Sequence, residues 1–396
     1  MSELKRAVSL PLITFYGLGN ILGAGIYVLV GRVAGNAGDF VIISFLFAAI
    51  TAGFTAFTYA ELVSRYPISA GSAIYVHHGF GKRFLSRAVG LLIILTGLVS
   101  ASTMARGLVG YMSVFINLPE WLVIGLVLIV LGSLAIWGIV ESVRTAVVIT
   151  IIEVGGLLLI LFVGRSYFGL LPERIGGFFS PTTIGDWNGV MLGAFLAFYA
   201  YVGFEDMVNV AEEVKDSQRN MPLAVLISLG VATVLYLAIS TLAILVIPPA
   251  ELGSSDAPLA DMYTKITGDA PYLISVISLF AIVNGALVQI IMASRVFYGM
   301  SSQKWMPAWM GVVHPKTRTP INSTILVVVL ILLVALALPL ETLARATSFC
   351  LLIIFALVNL SLFLIKLRGP GPAGVFTVPL FVPVLGMASC LILLLA

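Results

Sequence analysis

Apolar stretches of about twenty residues recur along the whole chain, and this limits the fold more sharply than any other property. A bilayer core about 30 Å thick needs about 20 apolar residues for each helical crossing. Stretches of this kind lie at 10–33, 39–65, 84–116, 120–139, 142–164, 188–212, 222–247, 271–300, 321–339, 342–366 and 375–396. In lipid every backbone N–H and C=O must find its partner within the protein, so such a chain forms a bundle of α-helices. Composition agrees. Of 396 residues, 60% are hydrophobic and 10% charged, whereas a soluble domain has about a quarter charged. The expectation is an all-α polytopic membrane protein with eleven spans, surrounded by membrane lipid.

Lysine and arginine placement predicts the orientation. With the N-terminus inside, the inner loops hold Lys5, Arg6, Arg65, Lys82, Arg83, Arg87, Arg144, Lys215, Arg219, Lys304, Lys316, Arg318, Lys366 and Arg368. The outer loops hold Arg165, Arg174 and Lys265, with Arg32 and Arg345 near the ends of their spans. The eleven spans then put the C-terminus outside, in a plasma (inner) membrane. The first apolar run is too long for a signal peptide and has no small-residue cleavage pattern, so it is read as span 1. Net charge is +3 and no basic tract points to nucleic acid. Cys350 and Cys390 both sit in apolar runs and read as small core residues.

Two spans are poor continuous helices. Span 1 contains Gly17-Leu18-Gly19-Asn20-Ile21-Leu22-Gly23-Ala24-Gly25-Ile26, and each glycine costs about 1 kcal/mol relative to alanine within a helix. Span 6 contains Phe198-Tyr199-Ala200-Tyr201-Val202-Gly203-Phe204-Glu205-Asp206, with a glycine at its middle and two carboxylates following. Five spans separate them, so spans 1–5 and 6–10 would run through the membrane in opposite senses. Interrupted helices at matching positions of two inverted halves mark a midplane substrate site in transporters. The N-terminus of a half-helix attracts an anion such as a carboxylate, and freed carbonyls attract an ammonium group. A site with both suits a zwitterion. The alternative is close helix packing, for which Gly19 and Gly23 have the small-xxx-small spacing.

Other residues carry their own alternatives. Glu153 lies deep in the apolar run Ile151-Ile152-Glu153-Val154-Gly155-Gly156, and ionisable residues inside a span are functional by default. Its structural alternative is a hydrogen bond to a neighbouring helix or to Arg106. Arg106 itself either snorkels outward or pairs with a carboxylate. Glu205 and Asp206 either shape the site or sit in an inner vestibule. Tyr199, Tyr201 and Phe204 are gate candidates or bundle packing. The run Glu212, Glu213, Lys215, Asp216 and Arg219 reads as a solvated loop. His77, His78 and His314 are too separated to form a metal site.

These segments resemble the amino acid–polyamine–organocation (APC) permeases. The resemblance rests on Gly19-Asn20-Ile21-Leu22-Gly23-Ala24-Gly25-Ile26-Tyr27; on Tyr59-Ala60-Glu61-Leu62, Pro67, Ala70-Gly71-Ser72 and Tyr75; on Ala200 to Glu205, Glu212-Glu213-Val214-Lys215, Arg219-Asn220 and Pro222; and on Asn284-Gly285-Ala286, Ser294-Arg295, Tyr298-Gly299-Met300 and Pro307. His314-Pro315 and Arg318-Thr319-Pro320 complete it. It implies a LeuT-type fold with two inverted five-span repeats, here 1–165 and 186–367, and a terminal span at 368–396, all in one permease domain. It further implies alternating access for an amino acid substrate. In similar permeases the substrate carboxylate rests on amides matching Ile21, Gly23, Ala24 and Gly25. The amino group meets carbonyls matching Tyr199, Ala200 and Val202, next to Gly203, while Tyr201, Phe204 and Glu205 beside this break stand as gate candidates on their position alone.

Two departures stand out. The family usually has twelve spans, and this sequence stops at Ala396 within span 11. Some similar permeases place a lysine in span 5, whose ammonium stands in for a sodium ion between spans 1 and 8. The matching residue here is Glu153, of opposite charge. Proton coupling through Glu153 is therefore the expectation, with no other cofactor. Sodium symport and obligate exchange of amino acids or polyamines remain alternatives, although span 8 offers no paired hydroxyls near its middle. An intramembrane enzyme is disfavoured, since the sequence has no His-Glu-x-x-His, Gly-x-Ser-x-Gly or paired aspartates. Neither the amino acid nor the oligomeric state is legible.

Overall fold

A computed structural model describes residues 8–67, 71–137, 143–302, 306–314, 319–369, 371–372 and 374–396. For residues 24, 137, 143–146, 212, 213, 299 and 302 it describes the backbone alone. Lys5, Arg6, Ala70, Glu141, Ser142, Lys304, Pro315, Lys316 and Arg318 therefore lie outside the described residues, as do the side chains of Ala24, Arg144, Glu212 and Glu213. The described chain is helical, without a β-strand; Val8 and Val214 form an isolated bridge.

Each predicted apolar stretch contains an α-helix among the described residues. The helices are α1 (Leu10–Ala37), α2 (Val41–Arg65), α4 (Arg83–Met112), α5 (Glu120–Trp137), α6 (Val143–Val163), α8 (Ile184–Ala197), α9 (Ser217–Val246), α12 (Tyr272–Ser302), α13 (Ile321–Ala337), α14 (Leu340–Leu367) and α15 (Phe381–Leu394). Short helices fill four of the connections: α3 (Gly71–Phe80), α7 (Leu171–Phe178), α10 (Pro249–Ser254) and α11 (Pro258–Thr267). Sequence reading missed these. Their only signals are a proline in the first turn of α7, α10 and α11 and an amphipathic pattern too short for a span.

Six apolar helical runs among the described residues are long enough to cross a membrane. A seventh is the pair Val147–Val163 and Arg165–Phe178, bent by 56°. The first run, Leu10–Arg65, has 56 residues, about 84 Å at 1.5 Å per residue. That is too long for one crossing, and Gly38 (φ 60°, ψ −136°) turns the chain between α1 and α2, both of which pack along α8 and α9. The apolar helices Glu120–Ile136, Ile321–Ala337 and Phe381–Leu394 are shorter. The molecule is an all-α polytopic membrane protein.

Contacts between helix ends sort into two faces, as alternating segments require. On the face that holds the start of α1, Lys215 N donates to Val8 O (2.9 Å), Ser64 Oγ to Gln218 O (2.8 Å), and Arg368 Nη1 to His78 O (2.9 Å). On the opposite face, Arg32 pairs with Asp256 (2.8 Å) and donates to Gly253 O (2.7 Å), and Arg174 donates to Ile244 O (3.0 Å).

Buried polar clusters join the helices. Glu61 of α2, fully buried, accepts from Arg65 Nε (2.9 Å), from Lys366 Nζ of α14 (2.9 Å to each oxygen) and from Val378 N (2.7 Å). Thr58 Oγ1 donates to Asn359 Oδ1 (2.6 Å), while Asn359 Nδ2 donates to Thr55 Oγ1 (3.0 Å). The two cysteines are buried and free.

Candidate functional site

The break in α1 is at Gly23, whose φ of −10° and ψ of −134° lie outside the helical region. Of the two glycines with packing spacing, only Gly19 packs: an added Cβ there would strike the Thr150 side chain, whereas one at Gly23 would meet nothing within 4 Å. The second break is equally local. α8 tightens into a 3-10 turn over Phe198–Tyr201, Val202 is extended (φ −66°, ψ 139°), and Gly203 has φ 126°. A second 3-10 stretch, Phe204–Glu213, follows. Gly203 N is capped by Glu205 Oε2 at 2.8 Å.

The two breaks touch. A Cβ on Gly203 would collide with the carbonyl of Asn20, and one on Gly25 with the backbone of Ala200. Here two glycines are required by close approach, and at Gly203 also by positive φ. Tyr236 of α9 bridges the breaks: its hydroxyl hydrogen-bonds the carbonyls of Ile21 (2.6 Å) and Ala200 (2.8 Å). Carbonyls freed by unwinding thus gain a partner from a third helix, as burial in lipid demands.

A small cavity opens beside the breaks. Ile21 and Gly25 line it from α1, and Tyr199 and Val202 from the second break. These are four of the predicted substrate-contact residues. Gly23, Ala200 and Gly203 sit at or beside the breaks but do not line it, and the Ala24 side chain lies outside the described residues. Two of the expected ammonium acceptors are engaged, Ala200 O by Tyr236 and Tyr199 O by Val202 N (3.2 Å). The rest of the lining is Asn20, Ser100 and Met104 of α4, and Gln289 of α12. Ser100 and Tyr199 share their hydroxyls at 3.2 Å. Asn20 Nδ2 is buried without a partner. Gln289 Nε2 donates to Asp206 Oδ2 at 3.2 Å.

Tyr201 and Phe204 do not face this cavity. The Tyr201 hydroxyl donates to Phe45 O (3.3 Å), and its ring stands edge-on to Tyr236. Phe204 packs with Tyr59 and Phe355 at ring distances of 5.7 and 5.2 Å. This buried aromatic cluster lies beyond the second break, toward the face on which α1 begins.

Glu153 of α6 is fully buried, and neither carboxyl oxygen has a hydrogen-bond partner. The polar group bearing on it is the amide of Asn284 of α12. Its backbone carbonyl accepts from Tyr27 Oη of α1 (2.6 Å), and the Tyr27 carbonyl accepts from Tyr111 Oη (2.5 Å). Glu153 therefore sits against α1 at Tyr27, four residues beyond the break, and near Asn284 of α12. Arg106 is no partner for it: it pairs with Glu120 (2.5 Å) and donates to Ala335 O and Leu338 O (2.7 Å each). The serines of α12 do not form a hydroxyl pair. Ser278 and Ser294 bond their own helix, and Ser275 Oγ is buried without a partner. Lys215, Asp216 and Arg219 are exposed, in keeping with a solvated loop. His77 and His78 are exposed, and His78 stacks on Tyr66.

The amino acid permease family profile matches residues 9–396. The chain belongs to this family. The permease is 30% identical to the methylthioribose transporter of Bacillus subtilis (strain 168), over 98% of this chain and 87% of that protein. It is 27% identical to the branched-chain amino acid permease BcaP of the same organism, over 99% and 88%. It is 30% identical to cationic amino acid transporter 3, mitochondrial, of Arabidopsis thaliana, over 92% of this chain but 63% of that longer protein.

Sequence reading of the permease reached the breaks through their glycines. It did not reach Asn20 as an orphaned donor, or Ser100, Met104, Gln289 and Tyr236. The last four lie on other helices, and nothing local distinguishes them from ordinary bundle residues.

Proposed function

We propose that this permease carries an amino acid by alternating access, using the cavity between the two breaks as its substrate site. The observation that carries the reading is the direct contact of Gly203 with Asn20 and of Gly25 with Ala200, which puts both sets of freed backbone groups beside one cavity. The unwound turn at Ile21 and Gly23, with the half-helix that begins at Ala24 and Gly25, offers its amides to the substrate carboxylate. The carbonyls of Tyr199, Ala200 and Val202 take the ammonium, those of Tyr199 and Ala200 once their present bonds release. Residues 1–165 and 186–367 form the inverted repeats that rock around this site, and 368–396 form the terminal span. The aromatic cluster of Tyr59, Phe204 and Phe355 closes the path toward the N-terminal face, which the lysine and arginine bias assigns to the cytoplasm.

Glu153 is the proton carrier in this reading. A buried carboxyl without a partner is costly when charged, and it sits where α1 and α12 meet α6. It takes a proton from one side and releases it on the other as access alternates. The names of the relatives include both amino acid and methylthioribose carriers, so both classes belong in the test. Purified protein in proteoliposomes is screened for thermal stabilisation and counterflow with the common amino acids and methylthioribose. An amino acid that both stabilises the protein and exchanges supports the proposal. Exchange of methylthioribose with no amino acid response would overturn the substrate class.

A further inference from the structure

α4 leaves a strip of its surface uncovered over about the depth of one leaflet. On a helix of 3.6 residues per turn, Arg83, Phe84, Arg87, Leu91 and Leu95 share about a third of the circumference. All five are exposed, Phe84 by 81%, Leu91 by 47% and Leu95 by 45%. Leu98 and Ser102 continue the same sector, but both are buried, and Ser102 Oγ donates to Ile331 O of α13 (3.1 Å). The strip therefore ends against α13. From Arg83 to Leu95 it runs about 18 Å at 1.5 Å per residue, close to one leaflet of a bilayer whose hydrocarbon core is about 30 Å thick.

The chemistry of the strip is graded along its length. Lys82, Arg83 and Arg87 stand at the end near the face on which α1 begins, and the exposed leucines lie deeper. The corner that leads into α4 is firmly docked. Gly81 turns it with φ 68°, Arg368 donates to the carbonyls of His78 and Gly79 (2.9 and 2.5 Å), and a Cβ on Gly79 would strike Ser361 of α14. The three cations are thus carried on a fixed corner. The surrounding elements bring no acid to it. The sequence has no Asp or Glu between Glu61 and Glu120, none between Asp269 and Glu341, and none after Glu341. This leaves α3, α4, α12 and α13 without a carboxylate, and α14 with one only at its far end. Glu61 is already bonded to Arg65 and Lys366. Cations at headgroup depth above an apolar face match a phospholipid with an anionic headgroup.

We infer that this strip binds an anionic phospholipid of the leaflet on the side where α1 begins. The phosphate lies among Lys82, Arg83 and Arg87, and an acyl chain runs along Phe84, Leu91 and Leu95 until α13 stops it. The inference is independent of the substrate site.

The test titrates the purified full chain, in a neutral detergent, with dioleoylphosphatidylglycerol or dioleoylphosphatidylcholine. Retained lipid is counted by native mass spectrometry, and the melting temperature is followed in parallel. The expected result is preferential retention of phosphatidylglycerol, with a larger rise in melting temperature than phosphatidylcholine gives. Lys82→Gln, Arg83→Gln and Arg87→Gln should each weaken phosphatidylglycerol binding about fivefold, the equivalent of about 1 kcal/mol for each basic residue near an anionic lipid, and leave phosphatidylcholine unaffected. Lys215→Gln combined with Arg219→Gln, around the start of α9, should leave the preference intact. Equal retention of the two lipids overturns the inference, as does an unchanged preference in all three strip variants. An equal loss in the Lys215 and Arg219 variant also overturns it, because the effect would then belong to the general charge of that face. Inorganic phosphate should give no shift; a shift matching that of phosphatidylglycerol would make this a site for a soluble anion and overturn the lipid assignment. If one strip variant does not fold, the other two decide.

Discussion

Glu153 differs from every other carboxyl described inside the bundle. Glu61 is saturated by two cations and an amide, Glu205 caps a backbone N–H, and Asp206 has Gln289. Glu153 has no hydrogen bond at either oxygen. A residue kept for structure would cost least if satisfied, so its unmet oxygens favour a role in which it changes state. Glu153→Gln preserves shape and mimics the protonated acid without titrating. We expect it to keep substrate binding and counterflow while losing accumulation driven by a pH gradient. Proteoliposomes with an imposed gradient check this, and gradient-driven accumulation at the wild-type level would reduce Glu153 to a structural residue. At the same scale, Gly19 and Gly23 show why a glycine motif is ambiguous in sequence. They share one spacing, yet Gly19 packs on Thr150 and Gly23 unwinds the helix.

Between elements, the polar clusters hold together what lipid alone would not, because apolar surface gains little by leaving lipid for another helix. The cluster around Glu61 is the most connected, tying α2 to α14 and to the segment before α15 through Val378. Arg65 and Lys366 have side chains 5% and 15% exposed, so removing the acid leaves two largely buried cations. Glu61→Gln should destabilise the folded protein by about 3–5 kcal/mol, the cost of breaking a buried ion pair from one side. The check is the melting temperature in detergent without substrate. An unchanged value would mean that water or lipid headgroups satisfy the two cations as well as Glu61 does. The tyrosine bridge of Tyr236 works in the same way between the breaks, supplying one hydroxyl to two unwound carbonyls.

Across the whole molecule, the segregation of helix-end contacts into two faces fits the expected eleven alternating segments, an arrangement that would place the termini on opposite sides. With Arg65, Lys82, Arg83, Arg87, Lys366 and Arg368 on the face where α1 begins, that face should be cytoplasmic. A reporter that matures only in the cytoplasm should be active when fused to the N-terminus and inactive at the C-terminus; activity at both ends would mean that one apolar helix does not cross. The spans were legible because lipid forces each crossing to be a long apolar run, and the breaks because glycine is costly within a helix. α3, α7, α10 and α11 were not, since a helix of ten residues or fewer in a connection needs no long apolar run. Gln289, Ser100 and Met104 were hidden for a different reason. Their role arises from three helices meeting at one cavity, and sequence spacing carries no trace of that meeting. Tyr201 and Phe204, read as gate candidates from their place beside Gly203, lie outside the cavity lining in buried aromatic contacts.

The central claim is that substrate lies against the unwound turn of α1. Gly23 is the place to test it, because an added Cβ there meets no neighbour within 4 Å, so a side chain can start there without striking packed atoms. Gly23→Leu is compared with the wild type for melting temperature without ligand, for ligand-induced thermal shift, and for counterflow of the amino acid that the wild type exchanges. The account expects a ligand-free melting temperature close to that of the wild type, with both thermal shift and counterflow lost. Wild-type counterflow in Gly23→Leu would contradict it and place the substrate elsewhere in the bundle.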